Sequence, residues 1–196
     1  MPLPKRSYDR TVNAEIERLL YQVSVVRQDA EGLLWGLSED QFNWIPPSRG
    51  WSMAQCFAHL NITNQLLINN IETAIGYGRA RGIVGDGPFT YGFLSRWLLR
   101  SLQPTSKRKL KAPAKFHPKP GKDMKTILSE WESTHARLSE LIRQSDGLDL
   151  AKVKVVSPVT SLLKYGLGMA FWIGSTHDRR HLAQAREIRN TKGFPA

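Results

Sequence analysis

Hydrophobic residues recur every three or four positions along four long stretches of the chain. In the first stretch, from about residue 13 to residue 37, Ile16, Val23, Ala30 and Leu37 stand at seven-residue intervals. Such a repeat is typical of helices that pack nearly antiparallel against one another. The other stretches cover about residues 52–77, 123–145 and 161–190. The pattern predicts an all-α protein, a four-helix bundle with a long crossover between the second and third helices.

Local signals mark where several of these elements begin. Ser52, with Gln55 three residues later, forms the capping-box pattern of a helix start, and Asp123 is a candidate N-cap. Residues 38–51 contain prolines and glycine and predict a turn-rich connector. Residues 91–99 are apolar enough for a small extra helix within the crossover, and residues 152–158 alternate briefly as a short extended segment would.

The crossover is strongly basic. The chain carries a net charge of +11. Eight of these charges arise between residues 100 and 125, where nine basic residues face Asp123 alone: Arg100, Lys107, Arg108, Lys109, Lys111, Lys115, Lys119, Lys122 and Lys125. We interpret residues 1–196 as a single domain that contains a basic insertion, rich in proline and glycine, at about residues 76–122. Such a loop is usually a solvated connection, although it can bind phosphates or an anionic membrane. Only Phe116 interleaves aromatic surface with these charges, so nucleic-acid binding is not favoured.

Composition narrows the class of protein. Cys56 is the only cysteine, so no internal disulfide can form and a cysteine-based zinc fold is excluded. The N-terminal residues lack the apolar run of a signal peptide. The longest apolar stretch, residues 165–174, is too short for a membrane span. These features predict a soluble, cytoplasmic protein.

Three histidines are the candidate chemistry. His177 and His181 are four residues apart, so they lie one turn apart on the same helical face. His59 lies at the edge of the apolar stripe of the second predicted helix. Burying three imidazoles without a shared partner would carry a desolvation cost for each, and a metal ion removes that cost. Three histidines with one open coordination position are the ligand set of a catalytic rather than a structural metal site.

Two signatures resemble those of a known family. The first is LSEDQFNW at residues 37–44, followed by WS at 51–52 and HL at 59–60. The second is HDRRHLAQ at residues 177–184. Together they are similar to the second-helix and fourth-helix signatures of the DinB/YfiT-like superfamily, over nearly the whole chain. The resemblance implies a four-helix bundle with a divalent metal on His59, His177 and His181. It also implies thiol chemistry, since several of these families are bacillithiol- or mycothiol-dependent transferases or isomerases, and a homodimer, since such bundles often pair.

Other polar residues are candidates for the pocket or the second layer around the ligands. Gln184, one turn beyond His181, is placed to orient a ligand or a histidine. His135 either lines the pocket or is a hydrogen-bonded core histidine, which is the favoured interpretation. Asp178 is expected at the helix surface or behind the ligands. Cys56, one turn before His59, is either a soft neighbour of the metal or simple packing, and His117 is expected to be exposed.

The leading hypothesis is a divalent-metal-dependent enzyme, most simply a thiol-dependent transferase, with a hydrolase as the variant that uses water. Zinc, nickel and iron all accept three imidazoles, so the metal stays open. The substrate is expected to be a small molecule, and no catalytic residue beyond the ligands is assigned. The alternative is a non-catalytic, metal-containing binding protein whose basic loop docks an anionic partner.

Overall fold

The computed structural model describes residues 13–47, 50–106, 113–118 and 123–196. Its helices are α1 (Ala14–Leu34), α2 (Glu39–Asn43), α3 (Met53–Ala80), α4 (Phe93–Ser101), α5 (Met124–Gln144) and α6 (Leu167–Arg189). Two three-residue strands, β1 (Lys154–Val156) and β2 (Lys164–Gly166), pair antiparallel. The predicted all-α class is confirmed, and within the described ranges it is supplemented by this small hairpin and by an isolated antiparallel bridge between Val84 and Leu148.

The four long helices form the bundle, in which α3 and α1 each contact both α5 and α6. The cross-contacts show that α3 and α5 are parallel, because Asn61 bonds the Ile127 carbonyl and, further along both helices, Arg137 bonds Glu72. Because these two long helices follow each other in the bundle and run in the same direction, the connection between them must return along the length of the bundle. Since α3 has 28 residues, that return covers about 42 Å, which explains the length of the crossover.

Helices α3 and α6 run antiparallel. Asn64 bonds Asp178, while Leu67, later in α3, meets Gly174, earlier in α6. A Cβ on Gly174 would lie 3.1 Å from Leu67 Cδ2, so glycine allows the two helices to approach closely at this point. This packing sets the register between the helix that carries His59 and the helix that carries the other two histidines.

One face of α1 supplies a continuous seam to the core. The buried positions alternate at spacings of three and four, and they are Ile16, Leu19, Val23, Val26, Ala30 and Leu33. This spacing is the one predicted for bundle packing. The predicted helix was too long, however, because α1 ends at Leu34 and Gly36 turns the chain with φ +73°. Leu37 therefore lies beyond the helix, although it still packs against the core.

The helix starts agree well with the sequence signals. Ser52 caps α3 in a reciprocal capping box with Gln55, and the Asp123 side chain accepts a hydrogen bond from Thr126 N–H at the start of α5. The connector, however, contains the short helix α2, because Ser38 and Gln41 form a second capping box there. The predicted turn-rich connector therefore contains a short helix that was not predicted.

The predicted start of the fourth long helix was also wrong. It was placed at about residue 161, whereas α6 begins at Leu167. Residues 164–166 instead pair with β1, with Val155 opposite Tyr165 in register. The predicted extended segment therefore exists as β1, and its pairing partner takes the residues that helical periodicity had assigned to α6.

The crossover is described only in part. Helix α4 confirms the predicted extra helix, and α3 extends to Ala80 into the predicted insertion. Of the nine basic residues between 100 and 125, six lie outside the described residues: Lys107, Arg108, Lys109, Lys111, Lys119 and Lys122. The single-domain organisation stays a prediction. Within the described ranges, no helix combines the length and apolar character needed to cross a bilayer.

Candidate metal centre

Three histidines from two helices converge at one point of the bundle. His59 comes from the first half of α3, and His177 and His181 come from successive turns of α6. One ring nitrogen from each residue can be chosen so that all three lie within 4.8 Å of one another. The ring centroid of His181 lies 4.7 Å from the ring centroid of His59 and 4.7 Å from that of His177. Among the described residues, this is the only His/Cys/Asp/Glu group with a spacing suited to a metal ion.

Helix packing explains this convergence. His177 and His181 share a face because one turn of α6 separates them. The neighbours of His59 on α3, Phe57 and Leu60, are fully buried in the core cluster that also includes Leu182 of α6. The apolar side chains on either side therefore hold α3 and α6 together at the level of the histidines.

Hydrogen bonds orient two of the three rings. His59 Nδ1 lies 2.7 Å from the backbone carbonyl of Phe116, and His181 Nδ1 lies 3.1 Å from Gln184 Oε1. Because each of these oxygens can only accept, Nδ1 must carry the proton in both rings. The unprotonated Nε2 of each ring is then available as a ligand, which is the arrangement found around metal-binding histidines.

The surroundings keep the imidazoles neutral. Burial lowers the pKa of His59; the hydrogen bond to the Phe116 carbonyl partly opposes this, and His117 adds a still smaller lowering. The pKa of His177 lies well below its ordinary value because of burial first, and then because of His181, His59 and Arg180. Burial, with His59 next, lowers the pKa of His181 to about 3 despite the Gln184 bond. At neutral pH the three rings are therefore free of the proton that would compete with a cation.

The cluster is closed on one side and accessible on another. His59 is buried, whereas His177 and His181 are partly exposed. The Trp51 ring stacks on His181, with centroids 6.0 Å apart and planes 18° apart, and it also lies 4.9 Å from the His59 ring. Trp51 thus covers the cluster on the side of His59 and His181, while the two histidines of α6 stay partly exposed.

Trp51 and the Phe116 carbonyl were not among the sequence-predicted site residues. Trp51 directly precedes the N-cap Ser52 and so has no place in the helical periodicity. Its place in the first family-like signature, eight residues before His59, was the signal that the sequence offered. The Phe116 contact comes from a backbone oxygen in a 3-10 turn of the crossover, and no side-chain pattern predicts such a contact.

His135 and Asp178 lie outside the three-histidine cluster. His135 is fully buried on α5, with Nδ1 2.9 Å from the Trp131 carbonyl and Nε2 3.1 Å from Asp178 Oδ2. The other oxygen of Asp178 accepts a hydrogen bond from Asn64 at 3.0 Å. Asp178 is only 1% exposed, so of its two expected positions the helix surface is wrong, and the position behind the ligands stays a prediction. This buried network links α3, α5 and α6 beside the cluster.

The other three candidate residues differ in whether they contact the histidine cluster. Gln184 contacts His181, as described above. Cys56 is buried on α3 and does not belong to the three-histidine group. Burial raises the pKa of its thiol to about 12, which disfavours the thiolate that a metal would need. His117 is exposed beside Trp51, with ring centroids 6.2 Å apart.

Comparison with known proteins gives one match. The family model described as the DinB superfamily matches residues 22–185, a range that includes all three clustered histidines. No curated protein and no solved structure matches the chain. Because the family match covers most of the chain and the bundle agrees with the fold that the two signatures implied, the chain belongs to the DinB superfamily.

Proposed function

We propose that this chain is a divalent-metal-dependent enzyme, with His59, His177 and His181 as the ligands and a low-molecular-weight thiol as the nucleophile. The observation that carries the proposal is the convergence of three ligand nitrogens within 4.8 Å. Two of the rings are already oriented through Nδ1, so the site needs little rearrangement to accept an ion.

The donor set fits a borderline transition metal. Neutral imidazoles suit zinc, nickel and iron, whereas magnesium and calcium require oxygen ligands. Three protein ligands leave one position for a substrate or solvent molecule. When bound, such an ion acts as a Lewis acid that lowers the pKa of a thiol or water in that position.

The residues around the cluster support this chemistry in distinct ways. The Phe116 carbonyl and Gln184 hold the His59 and His181 rings in the orientation that presents Nε2. The Trp51 ring lies against two of the three imidazoles and keeps solvent from that side. The partial exposure of His177 and His181 supplies the approach for a small electrophilic substrate.

Family membership favours a thiol over water as the nucleophile, because the superfamily includes thiol-dependent transferases. A hydrolase remains the variant in which water takes the open position. A cytoplasmic location suits the thiol reaction, since small thiols stay reduced there. The expected homodimer also stays a prediction.

Metal content tests the first half of the proposal. Protein purified without a histidine tag should contain about one equivalent of a transition metal by elemental analysis. The variant His177→Ala/His181→Ala should contain none while keeping its helical circular dichroism. The matched control is His117→Ala, which removes an exposed imidazole outside the cluster and should retain the ion. Absence of metal, together with no uptake of zinc, nickel or iron, would overturn the proposal.

A spectroscopic measurement separates an enzyme from a metal-containing binding protein. Cobalt-loaded protein should develop a sulfur-to-cobalt charge-transfer band when a small thiol is added, because the thiolate then binds the open position. If the metal is present but no thiol binds, thiol transfer is excluded. Turnover with water would then favour the hydrolase, and lack of turnover would favour the binding protein.

A further inference from the structure

Helix α4 lies on the outside of the bundle with two contrasting faces. Its inner face packs on the core through Leu98 and Leu99. Its outer face exposes large apolar side chains: Phe93 is 74% exposed, Leu94 57% and Trp97 43%. These three residues occupy positions i, i+1 and i+4 and so share one side of the helix. Their close grouping within nine residues of helix distinguishes them from the single apolar residues that any protein surface carries.

Positive charge surrounds this apolar face. Arg96 and Arg100 are exposed on α4 itself. The sequence from residue 87 to residue 122 contains nine lysines and arginines and no aspartate or glutamate. An exposed aromatic face bordered by arginines, in a segment without acidic residues, is the composition of helices that lie in the interface of a membrane.

We propose that α4 docks on the surface of an anionic lipid bilayer. Phe93, Leu94 and Trp97 would enter the boundary between head groups and acyl chains, and Arg96 and Arg100 would reach the lipid phosphates. This interaction lies along the surface and is independent of the histidine cluster and of its metal.

Charge argues against the other occupants of this face. A second copy of the chain that docks through its own α4 would bring one set of arginines against another, and like charges across an interface are repulsive. Duplex nucleic acid would satisfy Arg96 and Arg100 but would leave the apolar side chains in water. Only a surface that combines an anionic layer with an apolar layer matches both features of α4.

The bundle holds α4 firmly enough to act as a docking surface. The Arg180 guanidinium on α6 donates to the carbonyls of Ser101 and Gln103 at the end of α4, both at 3.3 Å. Together with the Leu98 and Leu99 packing, this contact ties both the middle and the end of α4 to the body of the protein. The helix therefore meets the lipid as part of the folded bundle.

Flotation with lipid vesicles tests the proposal on the full-length protein. The protein should float with vesicles in which about a third of the phosphatidylcholine is replaced by phosphatidylglycerol, and not with phosphatidylcholine alone. Replacing the apolar face, Phe93→Ser/Leu94→Ser/Trp97→Ser, should weaken binding by at least about tenfold. Replacing the charges, Arg96→Gln/Arg100→Gln, should weaken it by about twenty-five-fold, on the basis of about fivefold per arginine. Raising the salt from about 0.1 M to about 0.5 M should also weaken it, because screening lengths shrink.

Matched controls separate the α4 face from general stickiness and charge. Trp35→Ser/Leu162→Ser removes two even more exposed apolar residues, and Arg27→Gln/Lys192→Gln removes two exposed charges. Neither pair belongs to α4, so both variants should float like the wild type. The proposal is overturned if the wild type does not float at low salt or if the triple α4 variant floats as well as the wild type. It is also overturned if the α4 face proves to bind duplex DNA more tightly than the vesicles.

Discussion

The buried pair formed by His135 and Asp178 offers a sharp test of what holds α6 in register. Asp178 accepts from Asn64 Nδ2 through one oxygen and contacts His135 Nε2 through the other. All three residues are at most 1% exposed, so water cannot replace a lost partner. The perturbation is a double-mutant cycle built from Asp178→Leu, His135→Leu and the combination of the two.

The magnitudes follow from counting the polar atoms that each variant leaves without a partner. Each such buried atom costs about 1–3 kcal/mol of unfolding free energy. Asp178→Leu strands both Asn64 and His135, which gives a loss of about 2–6 kcal/mol. His135→Leu strands one oxygen of Asp178, which gives about 1–3 kcal/mol. The double variant strands only Asn64, two atoms fewer than the single variants together, so its loss should be smaller than the sum of the single losses by at least about 2 kcal/mol.

Urea unfolding followed by far-ultraviolet circular dichroism measures all four free energies at one pH. An internal control is the exposed ion pair of Arg137 on α5 with Glu72 on α3. Its coupling should be about 0.2–1 kcal/mol because solvent screens it. If the losses for His135 and Asp178 add to within about 0.5 kcal/mol, the two side chains are not coupled and the reasoning is refuted.

Two further predictions concern metal affinity and acid stability. Gln184→Ala removes the acceptor for His181 Nδ1 and should lower the metal affinity about 10–100-fold in a chelator competition. The variant Gln184→Glu keeps an acceptor and should lose less affinity. Equal metal affinity of Gln184→Ala and the wild type would contradict the orienting role of Gln184. The pKa of Asp149 is lowered even though burial acts to raise it, because hydrogen bonds from Lys152 and Ala151 outweigh the burial. Since the folded pKa lies below the unfolded one, this stabilisation is complete above the unfolded pKa and disappears as the pH falls through the folded pKa. Between about pH 5 and pH 3 the wild type should therefore lose more unfolding free energy than Asp149→Asn, and equal losses would show that these hydrogen bonds do not favour the carboxylate.

Local features of the chain were predicted well because the residues that cause them are neighbours in sequence. The seam through Ile16, Val23 and Ala30 is a property of one helix. The caps at Ser52 and Asp123 each depend on a residue no more than three positions away. The exceptions were the short helix α2, which was not predicted, and two helix ends, where Gly36 stops α1 early and strand pairing delays the start of α6.

The burial of Asp178 shows why hydrophobic periodicity does not predict which residues face solvent on a helix that is covered on several sides. Helix α6 contacts α1, α3 and α4 as well as both strands, so little of it is left to face water. Periodicity assigns polar residues to a solvent-facing side. Where no such side exists, a carboxyl group must find buried partners, and α3 and α5 supply them through Asn64 and His135.

The candidate metal centre was likewise predicted where it depends on neighbouring residues and not where it depends on contacts between helices. The spacing of His177 and His181 placed two imidazoles on one face by helical geometry alone, and the apolar setting of His59 indicated a third. The register of α3 against α6, the Phe116 carbonyl at His59 and the Trp51 ring over His181 depend on contacts between distant parts of the chain. The sequence by itself therefore determined the helices, their caps and the shared face of two ligands, because backbone hydrogen bonding and side-chain spacing act over a few residues. Only the tertiary structure decided which atoms surround those ligands, because that depends on the simultaneous packing of every helix in the bundle.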